Sequence, residues 1–273
     1  LTDVFMLSQP RQNLSQVVAA SIVAVLCVFA VGMLQVPQLN DLRSGTKDAT
    51  PEALQREVNS ENLRLNLLGQ TPAFGFDNLL ADWVFLNFLQ YFGDDDARLQ
   101  TGYALSPEYF KIIITRDPRF LAAYIPLSTS ISLYAAKPEQ SVALMEKGLQ
   151  SMTPLSPPKS YYVWRQKGID ELLFLGNAQA ARRSFEKAAE WASIYPDSES
   201  QNVAAFSHQT AAFLARNPLS KSAQVGAWTM VLNNLTPKDE RTRQIVIARI
   251  EALGGRVIVT PQGTIKIRPP QTD

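Results

Sequence analysis

The chain has 273 residues, 46% hydrophobic and 19% charged, with 26 Lys and Arg against 25 Asp and Glu for a net charge of +1. That balance argues against a dedicated nucleic-acid binder, which needs surplus cations to displace counterions. One Cys and one His exclude an internal disulfide, a Cys-based zinc site and any motif that requires two histidines.

Charge is unevenly distributed. Residues 1–16 form an N-terminal tail in which Arg11 is the sole basic residue. Residues 17–36, from Val17 to Val36, read VVAASIVAVLCVFAVGMLQV and carry no charge. A helix of that length spans about 30 Å, the hydrocarbon thickness of a bilayer, and closes its backbone hydrogen bonds internally. Pro37 marks its stop. The run predicts a single-pass transmembrane helix, with membrane lipid as its partner. A buried core helix is the bland alternative, but soluble helices this long carry a polar face. A cleavable signal peptide is the closer rival, with Ala30-Val31-Gly32 a loose fit to a cleavage site and no strongly basic stretch before it. Arg11 before the run against Arg43 and Lys47 after it leans toward a cytoplasmic C-terminal domain. That margin is a single charge, and a start at Leu1 rather than Met leaves room for basic residues upstream, so both orientations stay open. Cys27 lies in the run, where a reduced thiol is a small apolar residue.

Residues 37–50 are polar and turn-rich and read as a linker. Thr50-Pro51-Glu52 predicts a helix start, with Thr50 as N-cap and Pro51 at the first helical position. Leu54, Val58, Leu65 and Leu68 supply its apolar stripe. The stretch from Leu79 to Phe92 is almost wholly apolar, yet it contains Asp82, Asn87 and Gln90 and is short for a bilayer span. It predicts a buried first helix of a helical domain. The alternative is a face that packs on a membrane or an intrinsic membrane protein, with Trp83, Phe85 and Tyr91 as candidate partner contacts. Gly93-Asp94-Asp95-Asp96 breaks this helix, and Tyr109, Phe110, Ile113 and Ile114 begin a second helix paired with it.

Downstream, paired helices recur about every 40 residues. Asp117-Pro118-Arg119-Phe120 opens a helix with Phe120, Tyr124, Leu127 and Ile131 on one face. Ser156-Pro157-Pro158 opens another with Tyr161, Trp164, Gly168 and Leu172. Tyr195-Pro196-Asp197-Ser198 opens a third with Phe206 and Phe213, followed by a partner helix with Val225, Trp228 and Leu232. Pro138, Asn177 and Ser220 fall at the turns within pairs. In the clearest unit Gly176 ends the first helix, Ala181, Phe185 and Ala188 line the second, and Pro196 closes it. This unit resembles a tetratricopeptide repeat (TPR), in which Trp or Tyr, Gly, Ala, Phe, Ala and Pro recur in that order. It departs from the family by a one-residue shift between the helices and by a period longer than the usual 34. The segments LLADW, QYFGD and DPRF look like those of membrane-anchored TPR-type proteins of bacteria, including cyanobacteria. The resemblance implies an α-solenoid in a bacterial inner or thylakoid membrane, with a scaffold or assembly role and no defined activity; some single-span TPR proteins of cyanobacteria and chloroplasts act as photosystem assembly factors.

Stripes of Trp, Phe and Leu at helical spacing are read as core rather than ligand box. Asp82 in its apolar helix is either a buried general acid with a raised pKa or, as the blander reading, a buried hydrogen bond to a neighbouring helix. Asp94, Asp95 and Asp96 lack the spacing of a calcium loop and read as a helix cap. His208, alone among alanines, is packed or solvent-facing. Arg182, Arg183 and Lys187 form a basic patch, either the wet side of a helix or a contact for an acidic partner. No cofactor motif, metal site or catalytic constellation is visible.

Thr236-Pro237-Lys238-Asp239 starts a last helix ending at Gly254-Gly255, with Ile245, Ile250 and Leu253 packing as a cap. Residues 256–273 follow as an alternating β-hairpin and tail, turning at Thr260-Pro261-Gln262-Gly263. A lone hairpin is marginal in water and so docks on the helices or on a partner. Arg256, Lys266 and Arg268 make it a basic candidate contact for an acidic surface or lipid head groups. The domain layout is therefore tail 1–16, span 17–36, linker 37–50, TPR-like helical domain 51–255 and hairpin 256–273. The expected fold class is mainly α, and the expected function is a membrane-anchored, non-enzymatic scaffold or assembly factor for membrane-complex proteins. Two alternatives stand beside it: a stoichiometric accessory subunit, and an enzyme or small-ligand module using Asp82 or the Asp94–Asp96 loop.

Overall fold

The computed structural model describes residues 21–27, 29, 31–33, 50–216, 221–235, 240–259 and 265–270. The chain divides into two compact units, Leu1–Ala49 and Thr50–Asp273. In the first, residues 21–27, 29 and 31–33 are helical. Among the described residues no helix is long and apolar enough to cross a membrane; the remainder of the apolar run at 17–36 lies outside the described residues, as do the linker at 37–49, Ser220, Thr236–Asp239 and the expected turn at Thr260–Gly263.

The second unit is mainly helical with one small antiparallel sheet. Its first helix, α1 (Pro51–Gln70), starts as the local chemistry dictates: the Thr50 hydroxyl accepts from the Ala53 N–H, and Pro51 occupies the first turn, where no amide is needed. The next is α2 (Asp77–Gly93). Asp94 then caps the short α3 (Asp95–Thr101) by accepting from the Ala97 N–H at 3.2 Å. The partner of α2 is α4 (Ser106–Arg116). The helix expected from Asp117 onward is instead a 3₁₀ turn (Leu121–Ala123), a short α5 (Tyr124–Ser128) and a π-helical segment (Thr129–Tyr134). There follow α6 (Pro138–Leu149), α7 (Tyr161–Leu173), α8 (Ala178–Ala192), α9 (Ser198–Arg216), α10 (Lys221–Asn234) and α11 (Glu240–Ala252). The chain ends in a hairpin of β1 (Arg256–Val259) and β2 (Ile265–Arg268), in register Arg256↔Arg268 and Val257↔Ile267.

The main core is aromatic. Phe88 of α2 lies 4.5 Å from the Phe110 ring and 5.8 Å from Tyr109, both edge-on, and 5.5 Å from Phe92. Edge-to-face geometry sets the electropositive rim of one ring against the π-face of the next. Leu65 of α1, Ile113 of α4, and Leu127, Ile131 and Met145 fill the space around these rings.

Only one side of α2 enters this core. Ala81, Val84, Phe88 and Tyr91 are buried, whereas Leu79, Trp83, Leu86 and Leu89 face outward. The expectation of a wholly buried helix is thus corrected: three to four residues per two turns fill the core contact, and the remaining apolar positions point away.

Helices α7, α8 and α9 pack in succession, joined by short loops, as consecutive helical hairpins. Gly176 follows α7 with φ 63, a left-handed conformation suited to glycine, and the Asn177 side chain caps α8 by accepting from the Ala180 N–H. Between α8 and α9, Ala178, Ala181 and Phe185 of α8 form one buried cluster with Ala211 and Leu214 of α9. With Ala211 and Leu214 taking the buried side of α9, Phe206 and Phe213 stand outward, 63% and 54% exposed, where the sequence pattern placed them in the core.

In a second cluster Trp228, Val225 and Leu232 of α10 pack with Val246 and Ile250 of α11. Val246 takes the place expected of Ile245, which is exposed. Val257 and Ile267 lie against this cluster, so the hairpin docks on the helices by its apolar face.

Gly148 of α6 tests the tightness of the main core. A Cβ there would stand 1.7 Å from the Tyr124 hydroxyl oxygen, which donates to the Pro118 carbonyl at 2.5 Å. Gly148→Ala is expected to lower the unfolding free energy by about 2 kcal/mol or more. Adding Tyr124→Phe should restore part of that loss, both read by denaturant unfolding.

Candidate functional site

Two features of the helical unit stand out from an ordinary core. One is polar and internal, the other apolar and external.

The internal feature lies along α7, in the segment Lys167-Gly168-Ile169-Asp170-Glu171. The Asp170 side chain is buried, and its two carboxylate oxygens accept hydrogen bonds from three serines on three elements. Ser128 at the end of α5 donates to Oδ1 at 2.7 Å. Ser132 of the π segment and Ser141 of α6 donate to Oδ2 at 2.6 and 2.7 Å. Gln166 donates to Ser128 at 2.8 Å and extends the network. Burial pushes the Asp170 carboxyl above its ordinary 3.8, and the bonds from Ser132, Ser128 and Ser141 pull it back part of the way. One position on, Glu171 pairs with Lys167 at 2.6 Å and accepts from Ser184 of α8 at 2.6 Å. The Lys167 ammonium also lies 5.6 Å from the Trp164 ring centroid. Asp170 is one wall of an open groove of about 370 Å³, whose other lining includes Leu173, Phe174, Gly226 and Met230.

The external feature is the corner between α1 and α2. The connecting loop holds Phe74 and Phe76 at 84% and 67% exposure, around Gly75. Phe74 has φ 50 and Gly75 φ 90. A bulky residue in the left-handed region is strained, so Phe74 sits there at a cost to folding. Arg116 of α4 clamps the base of the loop: it pairs with Asp77 at 2.9 Å and donates to the carbonyls of Gly69 and Thr71. Leu79, Trp83 and Leu86 continue the apolar surface along α2 at intervals of four and three residues, one helical face. The Arg64 guanidinium of α1, held by Glu61 and Asn87, lies 5.3 Å from the Trp83 ring centroid.

The candidates read from the sequence fall on both sides of the surface. Trp83 is 44% exposed on the outer face. Phe85 is half-buried, edge-on to Phe120 at 5.0 Å. Tyr91 is buried, beneath the Arg98 guanidinium at 3.9 Å and accepting from the Leu105 N–H, so it is a core residue and no partner contact. Asp82 is exposed, which removes both the buried acid and the buried hydrogen bond. Asp94 caps α3, while Asp95 and Asp96 are exposed in its first turn. His208 is exposed on α9. Arg182 and Lys187 are exposed but paired to Glu186 and Glu190, at 2.8 and 2.7 Å, with Arg183 exposed beside them. Arg256, Lys266 and Arg268 share the outward face of the hairpin, since residues two apart in a strand point the same way.

No family model, curated protein or solved structure matches the chain.

Asp170→Ala would leave three buried hydroxyls without their acceptor, and is expected to lower the unfolding free energy by about 3 kcal/mol, roughly 1 per bond. Asp170→Asn keeps one acceptor and should cost less. A carboxyl raised in the folded chain holds its proton more tightly there, so it subtracts stability as pH rises from about 3.8 through its raised value. Urea titrations across that window should show this decline in the parent and a flatter profile in Asp170→Asn. Phe74→Gly relieves left-handed strain and should leave stability unchanged or raise it by up to about 1 kcal/mol, although it deletes a phenyl ring.

Proposed function

We propose that this chain is a membrane-anchored scaffold or assembly factor, held by residues 17–36 and presenting a TPR-like stack of helical hairpins to proteins of a membrane complex. The anchor reading is supported by the uncharged length of that run. The observation that carries the scaffold reading is the outward display of large apolar side chains on a domain whose core is already filled. Phe206 is the plainest case, 63% exposed on α9, with Phe213, 54% exposed, seven residues on along the same face. Solvent-facing aromatics in register on a helix mark a surface that another helix or a groove covers.

The test is affinity purification of the full chain from native membranes in mild detergent, with the partners identified by mass spectrometry. The parent should bring down one or more membrane proteins, and Phe206→Ser with Phe213→Ser should lose them while the unfolding midpoint stays near the parent's. A parent chain recovered alone would overturn the reading.

A further inference from the structure

We propose that the corner between α1 and α2 is a bilayer-docking surface: Phe74, Phe76, Leu79 and Leu86 face the acyl boundary, and Trp83 lies at the level of the head groups. The proposal deepens the anchor reading of residues 17–36 and rests on it.

Three observations select lipid as the occupant. The first is chemical. Of these five side chains only Trp83 carries a hydrogen-bonding group, its indole N–H, and Trp83 lies beside the Arg64 cation. Phenylalanine and leucine ask for an apolar medium, while an indole beside a cation suits the wet boundary of that medium. Asp82, one position before Trp83 and so about 100° round the helix, falls at the margin of this surface. The second is mechanical. Arg116 fixes the base of the loop through Asp77, Gly69 and Thr71, so the two phenyl rings project from a braced support. A strained, 84% exposed Phe74 does nothing for the core that a smaller residue would not do better. The third is connectivity. Residues 37–50, between the uncharged run and α1, extend to about 50 Å at most. The 20-residue α1 then carries the chain about 30 Å to the corner. A membrane-held run therefore keeps this surface within reach of lipid.

The test uses the full chain with Cys27→Ser, reconstituted in phosphatidylcholine–phosphatidylglycerol vesicles. Single cysteines are introduced at Phe74, Phe76 and Leu86, with Arg183 on α8 as the control position, and labelled with bimane. Quenching by nitroxide-labelled lipids reports the surface, and retention through an alkaline carbonate wash reports the anchor. Quenching several-fold stronger at 74, 76 and 86 than at 183 is the expected result. All four positions are exposed, and matching urea midpoints confirm the fold; a variant that fails this check is set aside and the other two corner positions decide. A chain retained by the wash with no excess quenching at the corner overturns the docking surface and leaves the anchor standing. A chain released by the wash yet quenched at the corner before it upholds the docking surface and overturns the anchor. Photo-crosslinking from Trp83 in native membranes adds the last arm: adducts to protein without lipid adducts place a polypeptide on this face and overturn the proposal.

Discussion

The arrangement of the helical unit turns on one carboxylate. Asp170 is a buried acid whose hydrogen-bond partners are hydroxyls, and a carboxyl group so placed is tolerated only while those donors stay within about 2.7 Å. Hydrogen bonds are directional where dispersion contacts are not. The three serines therefore fix the rotation of α5, the π segment and α6 about α7 more sharply than the surrounding Leu127, Ile131 and Met145 could. Ser132 of the π segment reaches one oxygen of Asp170 while Ser128, four residues earlier, reaches the other. On the opposite side Glu171, Lys167 and Ser184 tie α7 to α8. A single helix thus joins the aromatic core around Phe88 to the alanine-rich hairpins that follow.

That internal order leaves the periphery free to carry large apolar side chains. A domain held by polar bonds through its middle keeps its shape while setting Phe74, Trp83, Phe206 and Phe213 in solvent. The two apolar surfaces differ in kind. The α1–α2 corner ends in a braced loop, whereas α9 offers a smooth helical face, so the two suit different occupants. Tyr109 adds another tie beneath the corner: it donates to Glu61 at 2.5 Å, and burial together with that bond pushes its phenol well above the usual range. The same Glu61 holds Arg64 beside Trp83, so the outer ridge is coupled to the core through one carboxylate.

What could be read from the sequence was mostly local. Thr50, Pro51 and Asn177 declare helix starts through interactions within four residues, and the helices begin there, while Gly176 marks the loop three residues after α7 ends at Leu173. Pairing of α7 with α8 followed from Gly168, Ala181, Phe185 and Ala188. Asp170 escaped notice because Lys-Gly-Ile-Asp-Glu looks like a wet helix face, and its serines lie 29 to 42 residues away in the chain. Leu79 to Phe92 gave no direction because a helix apolar on every side has no periodicity to separate inside from outside. Phe206 and Phe213 were placed on one face correctly but on the wrong side. Which side of α9 is buried is decided by Ala211 and Leu214 meeting Ala178, Ala181 and Phe185 of α8, a fact that belongs to the pair of helices and not to either one.

The hairpin offers a last consequence. A two-stranded sheet has two open edges, each a row of backbone groups ready to accept another strand. Here Arg256 faces Arg268 directly across the ladder, with Lys266 beside them on the outward side. Like charges so placed weaken the hairpin itself by a few tenths of a kcal/mol. They also mean that a second copy pairing edge to edge would stack its cations on these. The arrangement trades a little local stability for resistance to strand-by-strand self-association.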